Sequence, residues 1–540
     1  MRNSIITVVF LAMSMGAMAQ TQKWTDSGNY RQPVDIDNQQ KSITISSAEE
    51  LAWVANQVNT GENDFGGYTI TLADDIGTLD ISAYEWDPIG YGSEDDPQNS
   101  QYFKGTFDGN GKTISGIHVN KPEGWGVGLF GYVHTATIKN ATLDNSTFVG
   151  AGCVGGIVGN NGGSTPTNQP SVGIYNCHVG SGVSVTATNE EDVEYGGAYA
   201  GGIIGYLSYI TVRECTSLAT VEGKDCVGGI AGILVGDNNG GIMDDCYYLG
   251  NSVTTGAETS SLPVGARGLL DNNTPYDTGT IHITLYDDDT VDGNINININ
   301  NVAINNEQRI SCYLQNTVDV IIKGRTLYKD EKWNTLCLPF DVTEAQMADA
   351  THPLHGATVK TLTSSTFYNG TLTLDFSENN LNAMDAGKPY IVKWETAGDH
   401  ISDLVFDGVT ITSKEPTDAE GTAANFHGIY SSYSIGSEDN TMLYLGENDR
   451  LYFPNINMNI NAFRAYFKLN NGLTAKETAN GINNFVLNFN GGETGIQKIS
   501  SLKSQTSNQN SCFTIDGRKL SAKPTVKGIY INNGKKTVIQ

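Results

Sequence analysis

Three stretches of the chain carry residue types that could do chemistry. "VGGIVGNN" (154–161) is a glycine-rich run of the kind that cradles a phosphate on backbone N–H groups. Asp74, Asp75, Asp87 and Asp108 are candidates for the paired carboxylates of a glycosidase or lyase. "YDDDTVDGN" (286–294) offers Asp287, Asp289 and Asp292 to a hard cation such as Ca²⁺. Eight cysteines and eight histidines complete the inventory.

Each has a structural alternative. A phosphate loop is a single Gly-rich turn between a strand and a helix, with a Lys or acidic partner downstream. Here the motif recurs as "VGLFGYV" from Val127, "AGGIIGYL" from Ala200 and "VGGIAGIL" from Val227, and no GK[ST] or helical pattern follows. Asp74-Asp75 ends a strand-like run, Asp87 precedes Pro88, and Asp108-Gly109-Asn110-Gly111 reads as a turn. No GHG and no paired NTD/DD set accompanies them, so no catalytic residue is assigned. The acidic run lacks the glutamate of an EF-hand. Irregular Ca²⁺ ligation by Asp287, Asp289 and Asp292 competes there with a solvated acidic turn, and no other cofactor is implied. HExxH, CxxC and GxSxG are all absent.

The recurrence says more about the elements than about the ligand. The four glycine motifs are offset by 27, 46 and 27 residues. Each is followed by a second signature: "IKNA" (138–141), "IYNC" (174–177), "VREC" (212–215) and "MDDC" (243–246). A fixed-order period of about 20–50 residues marks a solenoid or array. The units are too short for βαβ crossovers and lack helical periodicity. Stacked in parallel, their short β-rich runs predict an all-β, right-handed parallel β-helix with coils roughly 4.7–4.9 Å apart. Gly128, Gly131, Gly155, Gly156, Gly159, Gly201, Gly202, Gly205, Gly228, Gly229 and Gly232 then become structural corner residues, serving positive φ and close backbone stacking.

Cys177, Cys215 and Cys246 share one position in successive units and predict an inward ladder of buried thiols. Cys153, Tyr199 and Cys226 share another; its two cysteines lie two coils apart, beyond disulfide reach. The longer step contains insertions at 160–170 and 187–196, expected as outer loops. Upstream, Ser47 and Glu50 read as a capping box opening a short helix, with Leu51, Val54, Ala55 and Val58 on one face. Such a helix would plug the open end of the solenoid.

The four copies resemble the GLUG motif, found in exported bacterial surface proteins. "AEELAWVANQVNTGENDFGGYTITLADDI", "EWDPIG" (85–90) and "FKGTFDGNGKTISGIHV" (103–119) precede them in an order similar to that family's N-terminal cap and first coils. The resemblance covers about residues 43–250. It implies a β-solenoid in a surface context and no known reaction.

The ends read as those of an exported chain. Arg2, the apolar Ile5–Met15 and Ala17-Met18-Ala19 form a signal peptide over 1–19, cleaved between Ala19 and Gln20. No later run approaches about 18 apolar residues, so no transmembrane helix is expected. A net charge of −27 weighs against nucleic acid or anionic membrane as partner. The β-helix is expected over 20–255, followed by a connecting β-rich segment (256–317) that includes "NINININN" (294–301). A β-sandwich over 318–495 follows from strands such as "VDVIIKG", "KPYIVKW", "LVFDGVTI" and "AFRAYFKL", with turns at Asn369-Gly370 and Asp407-Gly408. "LYKDEKWNTLCLPFDV" and "GKPYIVKW" resemble a sandwich module of secreted Bacteroidetes proteins. A polar linker (496–511) leads to a small β segment, 512–540. Its "DGRKL" start, "KGIYI" strand and basic finish resemble the type IX C-terminal sorting domain, which implies a tail removed or anchored at the cell surface.

Together these readings point to a non-enzymatic, adhesin-like protein, secreted or on the outer cell surface. It would bind a glycan or a host or extracellular-matrix protein through a solenoid face or its inserted loops. Trp125 and Tyr206 are aromatic faces for sugar stacking, with buried packing as the alternative role. The alternative functions are a β-helix polysaccharide lyase or hydrolase, and a structural surface-layer or fimbria-associated component. The ligand and the oligomeric state stay open.

Overall fold

The computed structural model describes residues 22–92, 99–161, 172–189, 198–224, 226–235, 240–250, 279–289, 304–437, 439–475, 481–489 and 497–501, with short strands between 253 and 275 and between 512 and 539. Ala19 and Gln20, residues 162–170 and 190–196 of the expected insertions, Asp292, the run 294–301, and residues 496 and 502–511 of the linker lie outside the described residues. The described residues are mainly strand and form two compact units. One runs to Arg325 and includes Asp403–Lys414; the other comprises Thr326–Ser402 and the chain from Glu415 onward.

The first unit is built on parallel pairing. Its longest sheet runs Ser42–Ile45, Thr69–Leu72, Thr106–Ser115, Thr137–Asp144, Gly173–Tyr175, Thr211–Arg213, Ile242–Asp244, Thr280–Tyr286 and Thr317–Leu327. A second comprises Phe130–Tyr132, Val158–Asn160, Ile204–Leu207, Ala231–Leu234 and Val264–Arg267. A third begins with the long strands His118–Val127 and Thr147–Gly155 and continues through Ser184–Ala187 and Thr220–Gly223, with Tyr199–Gly201 and Cys226–Gly228 extending its far half. The chain visits the three sheets in the same order in each repeat, a β-helix-like arrangement.

In-register pairing turns sequence offset into stacking. Ile43, Ile70, Phe107, Ile138, Ile174, Val212, Met243 and Ile281 lie side by side on successive strands, each at most 2% exposed. Each buried side chain of this size contributes about 1.5–3 kcal/mol relative to exposure. The next residue on each strand faces the other way, by the period of two.

The repeat glycines do one of the two expected jobs, close backbone approach, and not the other. None of them adopts a left-handed φ. Close approach is what excludes a side chain: a Cβ on Gly155 or Gly201 would sit 2.0 Å from the carbonyl oxygen of Val158 or Ile204. The left-handed corners fall instead at Asn110, Asn140, Asn176, Glu214 and Asp245, with φ between 49° and 55°. Asn and Asp enter this region at least cost among non-glycine residues. The corners bond to one another, Asn176 Nδ2 to Asn140 Oδ1 at 2.9 Å and Asn140 Nδ2 to Asp108 Oδ1 at 3.0 Å.

Helix Ala48–Asn59 buries Leu51, Val54, Ala55 and Val58. Ser47 does not close the expected capping box. Arg31 draws both partners away: its Nη2 donates to Ser47 Oγ at 3.2 Å and lies 3.4 Å from Glu50 Oε1, while Glu50 Oε2 accepts from Ser46 N at 2.7 Å. Toward the last parallel strands, helix Asn306–Cys312 has a complete capping box at Asn305 and Gln308. It carries Arg309, which is fully buried. The guanidinium sits 4.8 and 5.0 Å from the ring centres of Tyr247 and Tyr286, and Nη1 donates to Tyr247 Oη at 2.8 Å. Ring faces and hydrogen bonds replace the lost hydration.

The second unit has sandwich-like sheets. Leu362–Tyr368 and Thr371–Phe376 form a hairpin through Asn369-Gly370, both at positive φ as the tight turn requires. Thr371–Phe376 also pairs in parallel with Asn484–Asn488. Another sheet contains Ala424–Gly428, Ala465–Leu469, Met442–Gly446 and Arg450–Phe453. Phe426 and Phe467 stack at 4.6 Å in a core with Leu372, Leu374, Phe376 and Phe485. Two expectations change here. Asp407-Gly408 is not a turn between strands; it lies inside Ile401–Thr410, where Gly408 N donates to Asp319 Oδ1 at 2.7 Å. "VDVIIKG" does not open the sandwich either. His282 to Tyr286 pair in register with Asp319 to Lys323, so 317–325 extends the first unit across the expected boundary at 317/318.

Candidate functional site

The candidate carboxylates fall into separate sets of partners, Asp108 and Asp74 in one and Asp87 in another. Asp108 Oδ2 lies 3.1 Å from Lys139 Nζ, and its Oδ1 accepts from Asn140 and from the Asn110 backbone. Burial opposes its ionisation, but these partners outweigh burial and hold the carboxyl below the usual range. Asn110 links it to Asp74, donating to Asp74 Oδ1 at 2.8 Å. Asp87 stands in a different set of partners: Lys121 at 3.0 Å, Lys23 at 3.3 Å and the Thr25 hydroxyl. Its pKa is also lowered, burial again being overcome by Lys121, Thr25 and Lys23. Asp87 and Asp108 are therefore both held as carboxylates, without the raised pKa of a general acid.

In the acidic run, Asp289 is buried and accepts from Asn306 N at 3.2 Å, holding the start of the second helix. Asp287 N donates to Lys323 O at 2.9 Å, and Asp292 lies outside the described residues. Among the described residues no group of three or more His, Cys, Asp and Glu is placed to hold a metal ion.

Cys177, Cys215 and Cys246 are each fully buried and reduced, at equivalent places on paired strands. Their Sγ atoms face the carbonyls of Ile138, Ile174 and Val212, and Cys177 N donates to Cys215 Sγ at 3.4 Å. Burial, then the neighbouring thiols, pushes Cys215 well above the ordinary thiol range, so little reactive thiolate forms. Cys153 stacks on Tyr199, which stacks on Cys226, and both cysteines of that column are without a disulfide. The asparagines of the opening motif are both buried. Asn160 Nδ2 reaches Cys153 Sγ, and Asn161 brackets Ser208, accepting from its N at 3.0 Å and donating to its O.

Two surface features are placed by the fold. The first is a column on the outward side of the long sheet, one residue per strand: Asp108, Lys139, Tyr175, Arg213, Asp244, His282, Asp319. Opposite charges meet within it, Lys139 with Asp108 at 3.1 Å, Arg213 Nε with Asp244 at 2.7 Å and His282 with Asp319 at 3.3 Å. The second is a cleft of about 330 Å³ lined by Asn56, Asn59, Asp87, Tyr91, Lys121 and Trp125 among others. The helix end supplies Asn56 and Asn59, the segment after strand Thr78–Asp80 supplies Asp87 and Tyr91, and strand His118–Val127 supplies Lys121 and Trp125. Gly126 shapes this wall, because a Cβ there would sit 2.0 Å from the Tyr132 ring. Trp125 and Tyr206, both half-buried, pack against Cys153, Tyr199, Ile233 and Val235. Sequence spacing could not assemble this cleft, because its residues come from three separate segments. The one local signal was Asp87 standing before Pro88.

No protein-family model matches the chain, so the GLUG-type and sorting-type readings rest on the residues themselves. A segment of 178 residues, 32% of this chain and 2% of the relative, is 29% identical to halomucin of Haloquadratum walsbyi. A segment of 101 residues, 18% of this chain and 11% of the relative, is 39% identical to a protein of Evansella cellulosilytica provisionally named a Gly-rich membrane protein. The matches thus span small parts of both relatives. Among solved structures, a Bacteroides ovatus chain provisionally named an immunoglobulin A1 protease is 21% identical, with a TM-score of 0.31 over 45% of this chain and 64% of that one. Among the described residues no helix is long and apolar enough to cross a membrane.

Proposed function

We propose that the protein is an exported, adhesin-like protein, displayed at the cell surface or secreted, whose first unit binds a glycan or an extracellular-matrix protein. In this reading the three parallel sheets close as a right-handed β-helix. Residues 1–19 are an export signal cleaved at Ala19–Gln20, and 512–540 form a sorting-type tail. The Evansella relative's name places that protein at a membrane, in keeping with a surface role.

The observation that carries the reading is the outward column from Asp108 to Asp319. Seven strands at the ordinary spacing extend roughly 30 Å. Stacked-repeat proteins bind extended partners along such surfaces. Charges of both signs, with Tyr175 between Lys139 and Arg213, give a set of donors and acceptors without a single-sign field. The test presents the purified full-length chain to a panel of mucins, matrix proteins and polysaccharides. Saturable binding that weakens as salt rises is expected. No binding above background to any member overturns the proposal.

A further inference from the structure

We infer that the cleft beside the first helix is a subsite for one neutral pyranose unit, stacked on Trp125 and hydrogen-bonded by Asn56 and Tyr91. The inference deepens the binding role proposed above and rests on it for the ligand class. The cleft's volume, about 330 Å³, lies at the small end of the roughly 300–1,000 Å³ range of ligand pockets, the scale of one or two sugar rings.

The lining has the chemistry of a polyol site. Trp125 is half-buried and Tyr91 is 47% exposed, and both line the cleft. An indole face suits the C–H face of a pyranose, and its N–H and the Tyr91 hydroxyl are polar handles at the rim. Asn56 is half-buried and lines the cleft, one helical turn before Thr60, whose hydroxyl donates to the Asn56 backbone carbonyl. Asn59, by contrast, is spent on the wall: its Nδ2 donates to Pro88 O at 3.0 Å and its Oδ1 accepts from Gly90 N at 2.8 Å. That bracket fixes the loop carrying Tyr91, so the subsite is built in advance of the ligand.

Charge selects a neutral sugar. The cleft lining contains one anion and one cation, Asp87 and Lys121, already paired at 3.0 Å, and Lys23, outside the lining, also lies 3.3 Å from Asp87. An added carboxylate or phosphate would compete with Asp87 for Lys121, whereas hydroxyl groups can bridge both partners. The apolar alternative is disfavoured by the same pair, because an apolar ligand would strip water from it without replacing its hydrogen bonds.

The test uses the full-length chain and the methyl glycosides of glucose, galactose, mannose and N-acetylglucosamine, with glucuronate as the anionic arm. Saturation-transfer NMR and tryptophan fluorescence report binding. At least one neutral glycoside should bind saturably, and Tyr91→Ala and Asn56→Ala should each weaken it about five- to tenfold with unchanged circular dichroism. Trp125→Phe, which keeps a ring, should retain binding with a reduced fluorescence response. No binding by any neutral glycoside, binding unaltered in both alanine variants, or a preference for glucuronate overturns the inference. If polysaccharides or matrix proteins still bind the Asn56 and Tyr91 variants with wild-type affinity, the subsite fails while the adhesin-like reading stands.

Discussion

Acidification from pH 7.5 to 4.5 should cost the first unit about 2 kcal/mol through His178 alone. The ring is 6% exposed, with Nδ1 2.8 Å from Thr216 Oγ1 and Nε2 3.0 Å from Asn176 Oδ1. The neutral imidazole can satisfy both contacts, one ring nitrogen donating and the other accepting. Burial pushes the pKa down from 6.5 to about 4. The unfolded chain takes up the proton near pH 6.5 and the folded chain refuses it until about pH 4, so this stability is present above 6.5 and drains away between those values. At about 1.4 kcal/mol per pKa unit the full loss is about 3 kcal/mol, most of it reached by pH 4.5. The assay is urea unfolding of wild type and His178→Gln across this range. Titrations shared by both chains cancel in the difference. The wild-type advantage over His178→Gln should shrink by about 2 kcal/mol between pH 7.5 and 4.5. A difference that stays flat, or an NMR titration placing the His178 ring near 6.5, would refute the reasoning.

Other perturbations follow from the same geometry. Gly155→Ala should destabilise by more than about 3 kcal/mol, because its Cβ meets backbone, whereas Gly111→Ala, with open space around it, should cost only about 1 kcal/mol; thermal melts of the pair decide. Arg309→Ala should cost about 3 kcal/mol by emptying the space between Tyr247 and Tyr286, read by urea unfolding. His282 should show the opposite pH sense to His178. Its hydrogen bond to Asp319 leads the influences on it and raises its pKa against the cost of burial, so its stabilisation is full below about 6.5 and lost as pH rises through the folded value. The site is partly exposed, so less than about 1 kcal/mol is at stake, and Asp319→Asn should return the His282 NMR titration toward 6.5.

Much of the first unit was legible because in-register parallel pairing preserves sequence period. The signatures at 138–141, 174–177, 212–215 and 243–246 lie on adjacent strands, which is why the spacing of Cys177, Cys215 and Cys246 matches their stacking. The reason for the glycines was harder to read. A recurring Gly signals either positive φ or lack of room, and only packing distinguishes them; the Asn and acidic residues before the ladder position were the overlooked sign of the left-handed corners. The alternating pattern of Thr317–Leu327 suits a sandwich strand and a solenoid strand equally, because it does not name its neighbour. Arg309 was invisible for a similar reason: nothing local distinguishes a buried guanidinium held by distant tyrosines from an exposed one. The cleft draws Asn56, Tyr91 and Trp125 from separate elements, so no window of sequence contains it.

The most direct test of the adhesin-like account is the affinity of Lys139→Glu/Arg213→Glu, compared with wild type, for the panel member that binds wild type most tightly. Both side chains lie on the outward column and neither is in the core. The account predicts at least a tenfold loss of affinity with an unchanged circular dichroism spectrum. Wild-type affinity in the double variant would contradict the claim that this face of the long sheet is the binding surface.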